Sequence, residues 1–163
     1  MRFFAKALRP LREMTSEKEI EVTRLLNAPR ELVFEVWTSP KHVDKWWGPN
    51  GFTNTTHRMD VRPGGEWVYV MHGPDGRTYD NRIRFIEVVK PEKLVYLHDA
   101  GKDNDPREFQ AVITFETVGQ QTKVTLRSIF KTKEARDFVV REFGALEGAK
   151  QHLAKLESYL SAL

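Results

Sequence analysis

The apolar residues change their spacing once along the chain, and this change limits the folds open to it. Between residues 52 and 130 they alternate with a period of two, in six short runs separated by turns such as Gly-Pro-Asp-Gly at 73–76. From Lys133 onward the spacing is helical. Alternation predicts strands, and links as short as these join antiparallel neighbours.

The segment 18–26 alternates in the same way and predicts a first strand, which brings the sheet to about seven strands. An antiparallel sheet of this size has one apolar face that needs a cover. The segment that begins at Lys133 is the only predicted helix long enough to supply it. We therefore predict an α+β fold in which a curved antiparallel sheet grips a long C-terminal helix.

Two short helices are predicted between the first strand and the second. Pro29 and Pro40 each suit the first turn of a helix, because proline has no N–H to leave unpaired there. Trp37 falls on the apolar face of the first helix. The second helix ends in the segment Trp-Trp-Gly-Pro at 46–49.

Composition fits one globular domain and narrows the classes of function. The 163 residues include no cysteine, which excludes disulfides, thiol nucleophiles and thiolate metal sites. The net charge is +3, and the tail at 1–17, with four basic residues against two acidic ones, carries most of it. No nucleic-acid partner is therefore expected. No apolar run approaches the roughly 20 residues of a membrane span, and we expect a cytoplasmic protein.

The tail at 1–17 lies before the predicted domain at 18–163. Phe3, Phe4, Leu8 and Leu11 recur at helical spacing among basic residues. This pattern is typical of a membrane-surface or targeting helix. It is equally typical of a helix that packs on the domain, and Pro10 interrupts it.

Large apolar residues on the predicted inward faces are candidates for the wall of a ligand pocket. Aromatic walls suit an apolar ligand with one or two polar groups. Composition alone favours the alternative that these side chains fill a core. The candidates are Trp37, Trp46, Trp47, Met59, Trp67, Tyr69, Met71, Tyr79, Ile83, Phe85, Phe115 and Leu146.

Two ionisable residues join these candidates. At about 100° per residue, Glu142 falls inside the apolar stripe of the predicted terminal helix. A carboxylate there must be paired or protonated, and it could anchor a ligand or move a proton. The alternative is that the helix bends at Gly144 or Gly148 and Glu142 reaches solvent. His57 shares a predicted inward face with Met59, and its alternative is a structural role.

The five histidines are scattered, with no two at ligand spacing on one predicted element. Metal ligands on one element normally recur at such a spacing. We therefore expect neither a metal site nor another cofactor.

Three motif regions resemble one family. Asn-Ala-Pro-Arg-Glu-Leu-Val-Phe at 27–34 and Trp-Trp-Gly-Pro at 46–49 are similar to the opening of the activator of heat-shock protein 90 ATPase homologues. Asp-Val-Arg-Pro-Gly-Gly-Glu-Trp at 60–67 resembles the second signature of that family. Glu-Val-Val-Lys-Pro-Glu-Lys-Leu at 87–94 resembles the third.

The resemblance implies the helix-grip fold of the START-like superfamily, also called SRPBCC or Bet v 1-like. It implies a hydrophobic cavity between sheet and terminal helix, which reverses the preference for a filled core. It does not imply chaperone activation, because this chain is one small domain. Fold alone does not define function.

Three hypotheses follow. The first is a protein that binds a small hydrophobic or amphipathic molecule, with Glu142 or His57 orienting a polar group. The second is a cyclase-like enzyme in which Glu142, Tyr69 or His57 moves protons. The third is a stress-related protein-interaction module. A homodimer is compatible with each of them.

Overall fold

Seven strands make up one antiparallel sheet in the computed structural model, which describes residues 17–163. Neighbouring strands follow the order first, seventh, sixth, fifth, fourth, third, second. The predicted sheet of about seven strands is confirmed. In chain order the strands are β1 (Glu19–Leu26), β2 (Thr53–Met59), β3 (Glu66–His72), β4 (Thr78–Val89), β5 (Lys93–Asp99), β6 (Phe109–Val118) and β7 (Gln121–Phe130).

Two short helices, α1 (Arg30–Thr38) and α2 (Pro40–Trp46), carry the chain from β1 at one edge of the sheet to β2 at the other. Trp37 packs edge-to-face on Trp46, with 5.0 Å between ring centroids, and on Phe115 of β6 at 5.6 Å. Edge-to-face geometry is the favoured one for aromatic pairs. These rings fill the space between the two helices and one part of the sheet.

A β-bulge in β2 overturns one prediction. Thr56 and Arg58 pair with residues of β3, whereas His57 between them has no partner in the ladder. The extra residue shifts the alternation of inward and outward side chains by one. His57 is therefore exposed, while Met59 packs against the core. The prediction that His57 faces inward is wrong.

The C-terminal segment consists of two helices, α3 (Lys133–Phe143) and α4 (Ala145–Ser161). Gly144 between them has a left-handed φ of 60°, and its N–H donates to the carbonyl of Val139, which ends α3. The predicted long C-terminal helix is confirmed as α4, and the glycine separates the shorter α3 from it. The helix-grip arrangement is confirmed, because α4 is long and buries Leu153 and Leu156 against the sheet side.

The break at Gly144 also redirects Glu142. The helical phase of α3 does not continue into α4, so a stripe projected across both helices misplaces residues of α3. The Glu142 side chain is 49% exposed and pairs with Arg141 at 3.0 Å. The prediction that it faces the core is wrong, and the alternative of a bend at Gly144 is correct.

The amphipathic pattern of the tail falls on residues 1–16, which lie outside the described residues. Among the helices of residues 17–163, none has the length and apolar character needed to cross a membrane.

The turn at 60–65 depends on the absence of a side chain. The carbonyl of Gly65 accepts a hydrogen bond from Phe85 N at 2.9 Å, and Gly64 N donates to Phe85 O at 2.8 Å. A Cβ atom on Gly65 would collide with the backbone carbonyl of Asp60. The turn can therefore keep its hydrogen bonds to β4 only if residue 65 is glycine.

We expect Gly65→Ala to lower the free energy of unfolding by on the order of 2 kcal/mol, because the backbone must move to admit the methyl group. Denaturation in urea measures this change. Gly148→Ala is the comparison: its Cβ would lie 3.8 Å from Pro49 Cβ, an ordinary contact. Inside α4 it should stabilise by up to about 1 kcal/mol. A Gly65→Ala variant as stable as the parent would contradict the assigned turn.

Candidate functional site

A cavity of about 590 Å³ lies between the sheet and the two C-terminal helices. Its volume is within the range of small-molecule sites. Apolar side chains from every side supply most of its wall: Ile20, Trp47, Pro49, Met71, Tyr79, Tyr96, Phe109, Ala111, Leu126, Phe130, Val139, Phe143, Ala145 and Ala149.

The structure sorts the predicted pocket residues into three groups. Trp47, Met71 and Tyr79 line the cavity. Met59 packs against the core, and His57, Glu142 and Leu146 are exposed. The remaining candidates are buried in the core beside the cavity and do not line it: Trp37, Trp46, Trp67, Tyr69, Ile83, Phe85 and Phe115.

One face of α4 accounts for the space beside the sheet. Ala145, Gly148 and Ala149 are small and lie on the same helical face as His152, and all four line the cavity. Their small side chains do not fill the space between α4 and the sheet. The sequence analysis did not identify His152. Its position three residues after Ala149 and four after Gly148 predicts that it shares their helical face.

Polar contacts of α4 hold the segment 47–52 at one end of the cavity. Lys155 Nζ donates to the carbonyls of Pro49 and Phe52, both at 3.1 Å, and His152 Nδ1 accepts from Gly48 N at 3.0 Å. Burial lowers the pKa of Lys155. Gly48 itself has a φ of 94°, and a Cβ there would press on the methyl group of Met71.

The hydrogen bond from Gly48 defines the protonation of His152. Because Nδ1 accepts an N–H, the proton of the neutral ring must sit on Nε2. Burial lowers the pKa of His152 to about 3, with a smaller contribution from Lys155. The ring lies 4.4 Å from that of Trp47 and 4.9 Å from that of Trp46, measured between centroids. A neutral donor therefore stands among aromatic rings in the cavity wall.

His98 joins the cavity wall to a polar chain in the core. Its Nε2 lies 2.8 Å from Asn81 Oδ1 and 3.2 Å from the Tyr69 hydroxyl, which accepts from Trp47 Nε1 at 2.9 Å. Asn81 Nδ2 donates to the carbonyl of Tyr79, so its oxygen faces the histidine, and His98 Nε2 carries the proton. Burial lowers the pKa of His98 to about 4.

Ion pairs fix the loop that follows β5 at the cavity. The fully buried carboxylate of Asp99 pairs with Arg82 at 2.9 Å and Arg84 at 3.3 Å. Arg82 also contacts Asp103 at 3.0 Å, and Arg84 contacts Glu108 at 2.8 Å. Burial alone would raise the pKa of Asp99, but the hydrogen bond from Arg82 and the neighbouring charges hold it below its ordinary value.

The polar groups of this wall do not form a metal site. Within residues 17–163, no three histidine, aspartate or glutamate side chains are placed to hold a metal ion. His152 Nδ1 and His98 Nε2 instead form hydrogen bonds with Gly48 and Asn81.

Stability should fall as the pH is lowered from 6.5 towards 4. An unfolded histidine has a pKa near 6.5, whereas those of folded His98 and His152 are about 4 and 3, so the unfolded state binds more protons in this interval. Thermal unfolding followed by circular dichroism measures the midpoint at each pH. His152→Gln retains an acceptor for Gly48 N–H and should show a smaller fall. A constant midpoint between pH 6.5 and 4.5 would contradict this expectation.

The sequence matches the family described as Activator of Hsp90 ATPase homolog 1-like protein over residues 27–161. No curated protein matches the chain. Among solved structures, a protein from Nitrosomonas europaea is 28% identical with a TM-score of 0.81, over 90% of this chain and 96% of that one. A protein from Mycobacterium smegmatis is 26% identical with a TM-score of 0.80, over 91% and 94%.

The AHSA1 protein from Silicibacter pomeroyi has the same fold, with 21% identity and a TM-score of 0.71 over 88% of this chain and 98% of that one. The family match contains all three motif regions and every element from α1 to the end of α4. The chain therefore belongs to the family of Activator of Hsp90 ATPase homolog 1-like proteins, and its fold is the START-like helix grip.

Proposed function

We propose that this protein binds a small, largely apolar molecule in the cavity between the sheet and the C-terminal helices. The observation that carries the proposal is the cavity itself, about 590 Å³ in volume and lined mainly by apolar side chains. Protein interiors are close-packed, and an apolar space of this size is uncommon unless it holds a ligand.

The placement of the three residues named as proton carriers favours binding over the cyclase-like alternative. His57 and Glu142 are exposed and do not line the cavity, and the hydroxyl of the fully buried Tyr69 is held by Trp47. A general acid or base must lie within hydrogen-bond reach of its substrate. The proton carriers that the enzyme hypothesis named are therefore poorly placed to serve a ligand in this cavity.

Gly148 offers a direct test, because it lines the cavity and a Cβ there would meet only Pro49, at an ordinary contact distance of 3.8 Å. Gly148→Leu should reduce the affinity for a neutral dye such as Nile red at least tenfold, by occupying part of the binding volume. Gly148→Ala is the matched control and should bind like the parent. Fluorescence titration measures both, and circular dichroism verifies folding.

The proposal is wrong if the parent binds neither Nile red nor any member of a panel of sterols, flavonoids and alkyl ketones in a thermal-shift screen. Equal affinity of Gly148→Leu and the parent would show that binding occurs elsewhere.

A protein-interaction module is the second candidate, and one surface feature favours it. Phe138 and Phe143 of α3 are 41% and 66% exposed and lie 5.7 Å apart between ring centroids. Exposed neighbouring aromatics are typical of docking sites. The family name associates relatives with the chaperone Hsp90, which makes it the partner to test.

Phe138 does not line the cavity, so its substitution separates the two candidates. If the aromatic pair docks on Hsp90, Phe138→Ser should weaken binding of the purified chaperone at least tenfold and leave Nile red binding unchanged. Surface plasmon resonance measures the first affinity. Absence of chaperone binding by the parent would exclude this candidate.

A further inference from the structure

Two polar groups of the cavity wall and one beside it make no standard hydrogen bond within the described part of the chain. The indole N–H of Trp37 is buried and makes no hydrogen bond to residues 17–163. Tyr96 lines the cavity, is 3% exposed, and its hydroxyl makes no hydrogen bond of standard geometry to those residues. The same holds for Nε2 of His152, whose other nitrogen is taken by Gly48. A buried N–H without a partner costs about 1–3 kcal/mol, and of the three groups the Trp37 N–H is the one buried in this way. Tyr96 and His152 line the cavity, so their donors are available to a ligand.

The three groups lie together. The rings of Trp37 and His152 are 5.7 Å apart between centroids. Tyr96 and His152 line the same cavity. Burial raises the pKa of Tyr96, and the Trp37 indole offsets part of the rise, which is consistent with an indole close to the hydroxyl. Tyr96, His152 and the indole therefore form one polar patch, which we call the inner patch.

The inner patch consists of donors. Tryptophan can only donate, and the neutral His152 with an occupied Nδ1 donates from Nε2. The Tyr96 hydroxyl makes no hydrogen bond of standard geometry to residues 17–163, so its hydrogen is free to donate to a ligand. A ligand that satisfies Tyr96 and His152 must therefore present an acceptor atom.

The charges around the patch favour an uncharged acceptor. Lys155 is the cation that acts on His152, but its ammonium group is engaged with backbone carbonyls of Pro49 and Phe52. Lys102 and Arg107 also line the cavity, but both are exposed, and the segment that carries them also supplies the lining carboxylates Asp99 and Asp105. A carboxylate buried at the patch would lose its hydration and meet these acidic groups, whereas a carbonyl oxygen loses far less.

We propose that the cavity selects an uncharged amphipathic molecule whose carbonyl oxygen accepts hydrogen bonds from Tyr96 and His152. This proposal rests on the proposed function, because it specifies the ligand class of the same cavity. The apolar part of the molecule then lies along the wall formed by Phe109, Leu126 and Phe130.

A set of three ligands with ten carbons tests the proposal: a methyl ketone, the alkane and the fatty carboxylate. Their relative affinities are obtained at pH 7 by displacement of Nile red. The parent should bind the ketone about tenfold more tightly than the alkane, as expected for one or two net hydrogen bonds. It should bind the carboxylate more weakly than the ketone.

Tyr96→Phe removes one donor with little change in shape. It should reduce the preference for ketone over alkane to about threefold or less. Tyr159→Phe is the matched control, because Tyr159 does not line the cavity and its hydroxyl bonds to His42, and its preference should equal that of the parent.

Infrared spectroscopy provides a measurement that needs no variant. The carbonyl stretch of a ¹³C-labelled ketone bound to the parent should lie below its position in hexane, because hydrogen bonds weaken the C=O bond. An unshifted band, equal binding of ketone and alkane, or tightest binding of the carboxylate would overturn the proposal and leave the binding function standing. Failure of Nile red and all three ligands to bind would overturn both.

Discussion

The attachment of α4 to the backbone of residues 47–52 is the constraint on which the cavity depends. Lys155 donates to two carbonyls of that segment and His152 accepts from Gly48 N. These bonds are side chain to backbone, so they fix where the helix crosses the end of the sheet, whatever side chains lie between. With the helix held there and small residues facing the sheet, the space below it stays open.

The Trp46-Trp47 pair divides the interior into a packed part and an open part. Trp46 donates to the carbonyl of Val36 and packs on Trp37, which belongs to the aromatic core under α1 and α2. Trp47 donates to Tyr69 and presents its other side to the cavity. The Trp46-Trp47 segment therefore lies between the packed core and the cavity. A small domain can in this way combine a dense core with a large cavity.

Period and turn residues predict the sheet well, because alternation and hairpin chemistry are local properties. They fail at His57 and Glu142, because a single bulge and a single left-handed glycine break the phase between the residues before them and the residues after them. Trp67 and Phe115 are buried as the alternation predicts, yet they do not line the cavity. Whether an inward side chain fills the core or lines a cavity depends on the helix above it, which sequence periodicity does not encode.

The exposure of α3 has a consequence for access to the interior. This helix buries no side chain, although Val139 and Phe143 border the cavity, whereas α4 buries Leu153 and Leu156. Elements with few buried contacts open locally at a lower free energy than the global unfolding transition. We therefore expect α3 to open locally at a lower free energy than α4, from which Gly144 separates it. Local opening of α3 would expose the cavity to solvent while the sheet and α4 stay folded.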